Sequence, residues 1–427
     1  MLSAGVILAS GRPRYWERDT VAYNRKVLME AMFHIQRQIR WLYLLLSVVL
    51  LLCLGLIYAW SIFRVPLESE FGWSKAETSI TFSISMMMFC LGGVVSGVLT
   101  ERRGVRTTLM LCAALLAAGF AGASGIHSLW GIYATYGGLA GLGAGLGYNA
   151  VISTAVRWFP DKQGFVSGIS LMGFGFGAMI LGTLGASLIV TVGWRLTFLL
   201  IGITFGVLVL LGAVLLRPAP MEFLQQMKRS MKGRRAFLED VDFRQMLRRK
   251  NFWLYVCWAA ALGAGGLAVI NISASYASGF LGGDLTEAAA IAGIVSVANG
   301  IGRVAFGQLF DSKGYKVTML GVSLTFLLAG IALLGAEYTG QLAILVAGFT
   351  LIGLSYGGVT PANSAYTAYF FGQKHYALNF SIINLNLIVA SYIGPMCASG
   401  APMTAFLIMI GLAVIGISLS FVIKTPS

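Results

Sequence analysis

The sequence predicts an all-α membrane protein with twelve transmembrane helices in two pseudo-symmetric six-helix bundles. Three observations carry this prediction: the composition, the long apolar runs and one internal repeat. The 427 residues are 57% hydrophobic and 11% charged, with a mean hydropathy of +0.81. A water-soluble chain of this length needs far more charge to cover its surface, so the composition excludes the soluble classes.

Apolar runs recur along the whole chain, and each is about twenty residues or more, which is enough to cross a bilayer as a helix. The twelve runs are 41–63, 78–100, 106–126, 130–156, 164–189, 195–216, 251–280, 286–309, 316–336, 341–370, 377–399 and 401–424. The fourth and tenth exceed what a bilayer requires, so we expect them to tilt or to extend beyond the lipid.

The internal repeat relates two loops at a constant offset of 210 residues. Its copies are LGGVVSGVLTERRGVRTTLML (91–111) and IGRVAFGQLFDSKGYKVTMLG (301–321). The matching positions are Gly97, Glu101, Arg103, Gly104 and Arg106 in the first copy and Gly307, Asp311, Lys313, Gly314 and Lys316 in the second. A carboxylate, basic residues and a turn glycine suit a loop that clasps neighbouring helices in one state and releases them in another. A generic charged turn is the plainer alternative, and the fivefold match argues against it.

The repeat and the charge distribution divide the chain into four parts. These are an N-terminal arm (1–40), a first six-helix bundle (41–216), a basic linker (217–250) and a second six-helix bundle (251–424). The arm is polar and has no cleavable apolar core, so we expect it to be disordered or to form a short amphipathic helix. The linker interleaves apolar residues with basic ones, which predicts an amphipathic helix on the inner leaflet. A regulatory, calmodulin-like target is the alternative.

Basic residues predict the orientation in the membrane. When the N-terminus is placed inside, every Lys and Arg except Arg64, Lys75, Arg195 and Arg303 falls on the cytoplasmic side. This positive-inside pattern predicts cytoplasmic termini, and we expect a monomer in the cell (inner) membrane. The net charge of +14 then reflects topology and contact with anionic lipid, not binding to nucleic acid.

Neither an enzyme, nor a cofactor, nor a metal site is indicated. No Ser-His-Asp, HExxH, paired-carboxylate or Cys/His cluster is visible in the sequence. Glycine-rich strings at 137–147 and 168–177 lie inside spans, where close helix packing explains them better than a nucleotide site. Packing also explains the five cysteines, which lie inside spans without a CxxC spacing. They are Cys53, Cys90, Cys112, Cys257 and Cys397.

Arg303 is the strongest candidate for a functional residue. It lies inside an apolar run, and no acidic residue lies within seven positions on either side. An arginine at mid-depth costs about 2.5–3.5 kcal/mol on insertion scales, so it must face the bundle interior or a watery cavity. The acidic residues all map to loops or span ends, which leaves a substrate carboxylate as the natural counter-ion. Snorkelling of Arg303 toward the membrane surface is the alternative.

Other polar side chains are candidates to line the same cavity. Asn299 lies four residues before Arg303 on the same helix face, where it can hold the guanidinium or bind the substrate; helix packing is the alternative. Asn384 and Asn386 point to different faces of one helix, so at most one of them faces the cavity, and Asn384 is our candidate. The remaining candidates are Tyr58, Tyr148, Asn149 and Tyr356, whose polar groups can bind substrate oxygens.

In its repeated loop the chain resembles the major facilitator superfamily. Within that superfamily it is similar to the branch of oxalate/formate antiporters and monocarboxylate transporters. The similar segments are IYAWSIFRVPLESEFGWS (57–74), VRWFPDKQGFVSGISLMGFGFGA (156–178), NGIGRVAFGQLFDSKG (299–314) and AYFFGQKHYALNFSIINLN (368–386). The resemblance implies twelve helices, alternating access and a small carboxylate substrate. It also implies that Arg303 grips the carboxylate and that Tyr58 and Tyr148 line the pocket.

Two departures from that branch bear on substrate and coupling. Oxalate-transporting relatives pair the arginine with a lysine in the eleventh helix, where this chain has Leu387. One fixed positive charge balances one carboxylate, so we expect a monocarboxylate such as lactate or pyruvate. Proton-linked relatives often have an aspartate in place of Asn299. With an amide there, a proton must travel with the substrate–arginine complex, or the protein exchanges anions.

The sequence therefore predicts a secondary active transporter of small monocarboxylates that works by alternating access with proton coupling. An oxalate/formate-type organic anion antiporter is the alternative within the transporters. A membrane enzyme and a non-transporting sensor on the same fold are the alternatives outside them.

Overall fold

The chain is helical throughout the residues that the computed structural model describes, which are 15–230, 240–281, 285–397 and 401–424. No β-strand occurs in these ranges, which agrees with the all-α prediction. The elements are α1 (Tyr15–Leu54), a 3-10 turn (Gly55–Ala59), α2 (Trp60–Phe71), α3 (Lys75–Ser124), α4 (Leu129–Ile132), a π-helix (Tyr133–Ala140), α5 (Gly141–Trp158), α6 (Gln163–Leu215), α7 (Met221–Ser230), α8 (Phe243–Arg248), α9 (Lys250–Phe280), α10 (Leu285–Lys313), α11 (Tyr315–Thr339), α12 (Leu342–Phe371), α13 (Tyr376–Asn384), α14 (Asn386–Cys397) and α15 (Pro402–Val422).

Nine helices in these described ranges are long and apolar enough to cross a membrane. Two of them, α3 and α6, have 50 and 53 residues, which is more than twice the roughly twenty that one crossing requires. Each is broken at one glycine with positive φ, Gly104 at +83° and Gly193 at +80°, and therefore supplies two spans. With α10 added, the described chain contains the twelve spans of the predicted fold.

The repeated loops have the same backbone geometry. Gly314, the counterpart of Gly104 in the second copy, has φ +84° and begins α11, just as Gly104 separates the two arms of α3. Residues other than glycine are strained at this φ, so the two glycines fix the same turn between consecutive spans. The repeat in the sequence is thus a repeat in three dimensions at this turn.

Two hydrophobic clusters form the interior of the described chain. The first combines residues between Leu44 and Met227 with a few from α12 and α13, and the second extends from Val241 to Ile423. Glycines allow the helices of different clusters to approach closely. A Cβ on Gly307 would lie 2.7 Å from the carbonyl carbon of Gly164.

The glycine-rich strings pack helices together, as predicted. In the first string, a Cβ on Gly141 would lie 2.7 Å from the carbonyl oxygen of Ser85. In the second, a Cβ on Gly173 would lie 2.9 Å from a methyl carbon of Val48. Any larger residue at these positions would force the helices apart.

The arm and the linker differ from the sequence expectation. α1 begins at Tyr15 and continues without a break into the first span, so this part of the arm is neither disordered nor a separate helix; residues 1–14 lie outside the described ranges. In the linker, α7 buries Phe223 against Phe33 and Trp158, with ring centroids 5.5 and 5.4 Å apart. Its apolar face is therefore covered by protein, whereas we expected lipid. Residues 231–239 lie outside the described ranges.

The described cysteines differ in burial, and only some of them occupy packing positions. Cys53 and Cys112 are buried, as a packing role requires, and Cys90 is partly buried. Cys257 is exposed on its helix, so the expectation of packing fails there. The side chain of Cys397 lies outside those that the structure describes.

Candidate functional site

Arg303 lies on α10 with its guanidinium directed toward α6. Its Nε donates to Oδ1 of Asn299 at 2.9 Å, and its Nη1 donates to the carbonyl oxygen of Leu171. Gly175 leaves room for the planar group, because a Cβ there would lie 3.0 Å from Nη1 and 3.3 Å from Cζ. The second glycine string therefore forms a slot for the guanidinium in addition to packing helices.

Only neutral oxygens hold this cation among the described residues. The ion pairs in the described ranges lie elsewhere and join Arg40 to Asp161, Arg64 to Glu68, Arg195 to Glu70 and His375 to Glu101. Arg303 is not fully buried, so it has access to open space inside the bundle. A charge inside a bundle is stabilised by an opposite charge, and this arrangement leaves that place open to an anion.

Asn299 orients Arg303 from one helical turn earlier. Its side chain is 8% exposed, and its Oδ1 accepts the Nε–H bond described above. The backbone here is fixed by α12, where a Cβ on Gly357 would lie 3.0 Å from the amide nitrogen of Arg303. The backbone of Arg303 is therefore packed against α12, while its guanidinium reaches α6 with its direction set by Asn299.

Tyr58 and Tyr148 lie near Arg303, because their rings pack 5.4 and 5.0 Å from Phe174, the neighbour of Gly175 in the guanidinium slot. Tyr356 precedes Gly357, which packs against the backbone of Arg303. Tyr58 lies in the 3-10 turn that interrupts the first span, and it is 43% exposed. Tyr148 is 6% exposed and packs its ring 5.0 Å from Phe174. Short 3-10 segments inside helices often mark hinges or functional sites. The tyrosines come from the first, fourth and tenth spans, so three different helices contribute a hydroxyl to this region.

A small cavity lies beside this cluster, between α3, α5, α13 and the start of α14. Its enclosed volume is about 20 Å³, room for about one water molecule or one polar group of a ligand. Its lining consists of Phe89, Cys90, Gly93, Tyr148, Asn149, Ser381, Asn384, Leu385 and Leu387. Tyr148 belongs to both the lining and the cluster around Arg303. The lining contains no charged side chain, and Leu387 is part of it.

Asn149 lines the cavity, but its NH2 group is already used. Nδ2 donates to the carbonyl oxygens of Gly93 and Ala377, each at 3.0 Å, and the residue is 1% exposed. These bonds join α5 to α3 and to α13. Its Oδ1 has no partner among the described residues. Asn149 therefore fixes the contact between helices and offers the cavity only an acceptor.

Asn384 and Asn386 face different surroundings in the structure. Asn384 lines the cavity, whereas Asn386 is 2% exposed and donates from Nδ2 to the carbonyl oxygen of Ile383 at 2.7 Å. The two residues lie on either side of a helix break at Leu385. Asn384 thus ends α13 with its side chain at the cavity.

Two further residues at the site were missed by sequence reasoning. Asn363 on α12 is fully buried, and its Nδ2 donates to Oδ1 of Asn384 at 3.0 Å. Tyr255 on α9 is also fully buried, and its hydroxyl donates to Oδ1 of Asn363 at 3.0 Å. The available signal was an asparagine two positions after Pro361 inside an apolar span.

The repeated loops contact opposite halves through their carboxylates. Asp311 accepts hydrogen bonds from the backbone N–H groups of Gly164 at 3.0 Å and Phe165 at 2.7 Å, where α6 begins. Glu101 lies 3.3 Å from Nδ1 of His375, the residue before α13. Helix N-termini favour negative charge, so each carboxylate stabilises a helix start in the other half. The basic loop residues make no such contact: Arg103, Arg106, Lys313 and Lys316 are exposed.

The profile of the Major Facilitator Superfamily matches residues 45–395, which is most of the chain. The protein therefore belongs to the Major Facilitator Superfamily and is an integral membrane transporter. This confirms the family resemblance seen in the repeated loops and the twelve-span fold.

Several known proteins are similar to it in sequence. YhjX of Escherichia coli K12, an uncharacterized MFS-type transporter, is 26% identical over 353 residues, which cover 82% of this chain and 86% of YhjX. The oxalate:formate antiporter of Oxalobacter formigenes is 32% identical over 289 residues, covering 66% of this chain and 65% of the antiporter. Human monocarboxylate transporter 6 is 30% identical over 164 residues, covering 38% of this chain and 32% of that transporter.

Two solved structures share the fold. The proton:xylose symporter XylE superposes with a TM-score of 0.65 at 15% identity, covering 90% of this chain and 95% of XylE. FucP in its outward conformation gives a TM-score of 0.65 at 16% identity, covering 90% of this chain and 99% of FucP. At these identities the likeness concerns the fold alone.

Proposed function

We propose that this protein is a secondary active transporter of small monocarboxylates such as lactate or pyruvate. The observation that carries the proposal is Arg303, a cation inside the bundle that only neutral oxygens hold among the described residues. A carboxylate fits a guanidinium through two parallel charge-assisted hydrogen bonds. The hydroxyls of Tyr58, Tyr148 and Tyr356 supply further donors around the same anion.

The charge of the site supports a monoanion over a dianion. Leu387 lines the cavity where oxalate-transporting relatives have a lysine, and the described lining has no charged side chain. A dianion beside one guanidinium would leave a net negative charge in a low-dielectric interior, which is costly. The similarity to an oxalate:formate antiporter makes oxalate exchange the second candidate.

Alternating access between two halves is the proposed mechanism. Every hydrogen bond that the structure describes between 41–216 and 251–424 lies between the repeated-loop end and the depth of Arg303. In the orientation that the positive-inside pattern favours, this end is cytoplasmic, and these contacts support the proposal of an outward-facing state. Substrate binding at Arg303 would then precede release of the Asp311 and Glu101 contacts and opening to the cytoplasm.

Proton coupling follows from the substrate itself in this proposal. The position beside Arg303 is held by the amide of Asn299, which does not titrate. A proton therefore enters with the carboxylate and leaves with it, and a chain carboxylate at mid-depth is not needed. Exchange of one carboxylate for another is the alternative coupling that the same site permits.

Uptake into proteoliposomes tests the proposal. Labelled lactate and pyruvate would be offered with and without an inward proton gradient, to wild type and to Arg303→Lys and Arg303→Ala. We expect uptake that the gradient accelerates and that both variants abolish, while Arg64→Lys, a matched control at an ion pair outside the site, transports normally. Normal transport by well-folded Arg303→Ala would overturn the proposal.

A further inference from the structure

We propose that the cavity contains a second subsite, in which the NH2 group of Asn384 donates a hydrogen bond to an oxygen on carbon 2 of the substrate. Tyr255 and Asn363 fix the direction of that NH2 group. The inference rests on the proposed function and narrows it to 2-oxo and 2-hydroxy acids, in preference to acids without a substituent on carbon 2.

One chain of hydrogen bonds determines that Asn384 presents a donor, not an acceptor, to the cavity. The Tyr255 hydroxyl donates to Oδ1 of Asn363, and Nδ2 of Asn363 donates to Oδ1 of Asn384, each at 3.0 Å. The chain thus uses the only acceptor on the Asn384 side chain. Its Nδ2 has no acceptor among the described residues, and the side chain lines the cavity.

The reversed orientation is unfavourable because of Tyr255. Its hydroxyl is fully buried, and Oδ1 of Asn363 is the acceptor that the structure gives it. Turning the Asn363 amide over would place an NH2 group against that hydroxyl and leave the phenolic hydrogen without an acceptor. A buried donor without a partner is strongly disfavoured, so the tyrosine holds both amides in one orientation.

The backbone supports the same placement. α13 ends at Asn384 and α14 begins at Asn386, and Leu385 between them keeps right-handed helical dihedrals, with φ −61° and ψ −16°. The carbonyl oxygen of Ile383 accepts from the side chain of Asn386, so that amide is used within its own turn and Asn384 is the asparagine left at the cavity.

The subsite lies where the distal end of a bound carboxylate would reach. Gly93, the counterpart of Arg303 in the first repeat, lines the cavity, and a Cβ there would have its nearest neighbour 3.9 Å away, at Ser381. Tyr148 lines the cavity and packs its ring 5.0 Å from Phe174, the neighbour of Gly175, whose Cβ position lies 3.0 Å from Nη1 of Arg303. In this proposal the oxygen on carbon 2 of a carboxylate held by Arg303 occupies the small space beyond Tyr148, whose donor is neutral, which suits a keto or hydroxyl oxygen.

Transport kinetics of pyruvate and propionate test the subsite, because these acids differ at carbon 2 and carry the same charge. In wild type we expect a lower KM for pyruvate. Asn363→Leu keeps the branched shape of the side chain and removes its hydrogen bonds to Tyr255 and Asn384, so the preference for pyruvate should fall about three- to tenfold, the effect of one hydrogen bond. Asn384→Ala should lower it by a similar factor. A general structural defect would raise both KM values alike and leave their ratio unchanged.

The double variant Asn363→Leu/Asn384→Ala separates positioning from direct contact. If Asn363 acts through Asn384, the double variant has the same pyruvate-to-propionate ratio as Asn384→Ala alone. Asn379→Leu is the matched control, since Asn379 is a buried asparagine on α13 whose Nδ2 bonds to the carbonyl oxygen of Val241. Its ratio should equal that of wild type. Where Asn363→Leu fails to fold, Tyr255→Phe removes only the hydroxyl and should shift the ratio in the same direction.

The outcomes distinguish this inference from the proposed function. If wild type transports neither acid, the proposed function fails. If it transports both through Arg303, and well-folded Asn363→Leu and Asn384→Ala keep the wild-type ratio, only the subsite is overturned.

Discussion

Gly93 and Arg303 occupy equivalent places in the two halves, 210 residues apart, and they differ as much as two residues can. Gly93 has no side chain, its carbonyl oxygen accepts from Asn149, and the space beside it is the cavity. Arg303 extends a guanidinium from the matching place to the carbonyl oxygen of Leu171 on the opposite half. The two turns, by contrast, are alike, with φ +83° at Gly104 and +84° at Gly314. Duplication thus supplies the scaffold, and the chemistry arises where the copies differ.

The first prediction tests this comparison by adding a side chain at Gly93, the counterpart of Arg303 in the first half. Gly93→Leu should fill the cavity and lower uptake at least about tenfold, because a space of about 20 Å³ cannot hold both a leucine side chain and a substrate oxygen. Gly93→Ala is the control, since its Cβ would make only an ordinary contact with Ser381 at 3.9 Å. Initial uptake rates at equal amounts of folded protein measure both. Normal transport by Gly93→Leu would show that the cavity is not used.

The second prediction places a carboxylate beside the arginine. In Asn299→Asp the new carboxylate replaces an oxygen 2.9 Å from Nε of Arg303 and competes with the substrate while it is ionised. We expect KM to rise about tenfold at neutral pH, in line with a close ion pair of about 1.4 kcal/mol or more. The neighbouring guanidinium favours the ionised form of the aspartate, so the higher KM should persist as the pH is lowered. The measurement is KM across pH 5–8, and a KM equal to that of wild type would contradict the prediction.

A third and smaller effect concerns the slot on α6. A Cβ on Gly175 would lie 3.0 Å from Nη1 of Arg303, so Gly175→Ala should displace the guanidinium and raise KM about three- to tenfold, as the weakening of one charge-assisted hydrogen bond would. Gly293→Ala on α10 is the matched control, because nothing lies within 4 Å of its Cβ position. Equal KM values for the two variants would argue against the slot.

The smallest expected difference compares the two loop carboxylates. Asp311 accepts two backbone N–H bonds, whereas Glu101 has one contact with a histidine on the surface. Asp311→Asn should therefore open the loop end more than Glu101→Gln does, by about two- to fivefold, given the modest strength of exposed pairs and helix-end charges. Labelling of a cysteine introduced near Gly164 reports the opening. A larger effect of Glu101→Gln would contradict the prediction that the Asp311 contact holds the loop end closed more strongly than the Glu101 contact does.

Much of the fold could be predicted from the sequence, because lipid imposes simple rules. Apolar runs of about twenty residues must be helices, and the repeat fixed which spans correspond. The packing of the arm and α7 could not be predicted in this way, because the residues that contact each other are far apart in sequence: Phe223 packs on Phe33 and Trp158. Polar and basic composition indicated the membrane surface there, and tertiary packing decided otherwise.

The sequence predicts the site where placing a residue inside the membrane costs free energy, because such a residue is conspicuous in an apolar run. An arginine in an apolar run is expensive, so Arg303 stands out, and Asn299 follows from helical spacing. Gly175, Tyr255 and Asn363 carry no such mark, because each acts through a contact on another span. The use of the Asn149 amide to bridge α3 and α13 was also invisible, since it depends on a carbonyl 228 residues away.

The central claim is that one guanidinium balances one carboxylate, and competition between oxalate and lactate in proteoliposomes tests it most directly. In wild type, lactate should be transported faster, and oxalate should compete poorly with it. Leu387→Lys would place a second cation in the cavity lining and should shift the preference toward oxalate. Wild-type protein that exchanges oxalate faster than lactate would contradict the account.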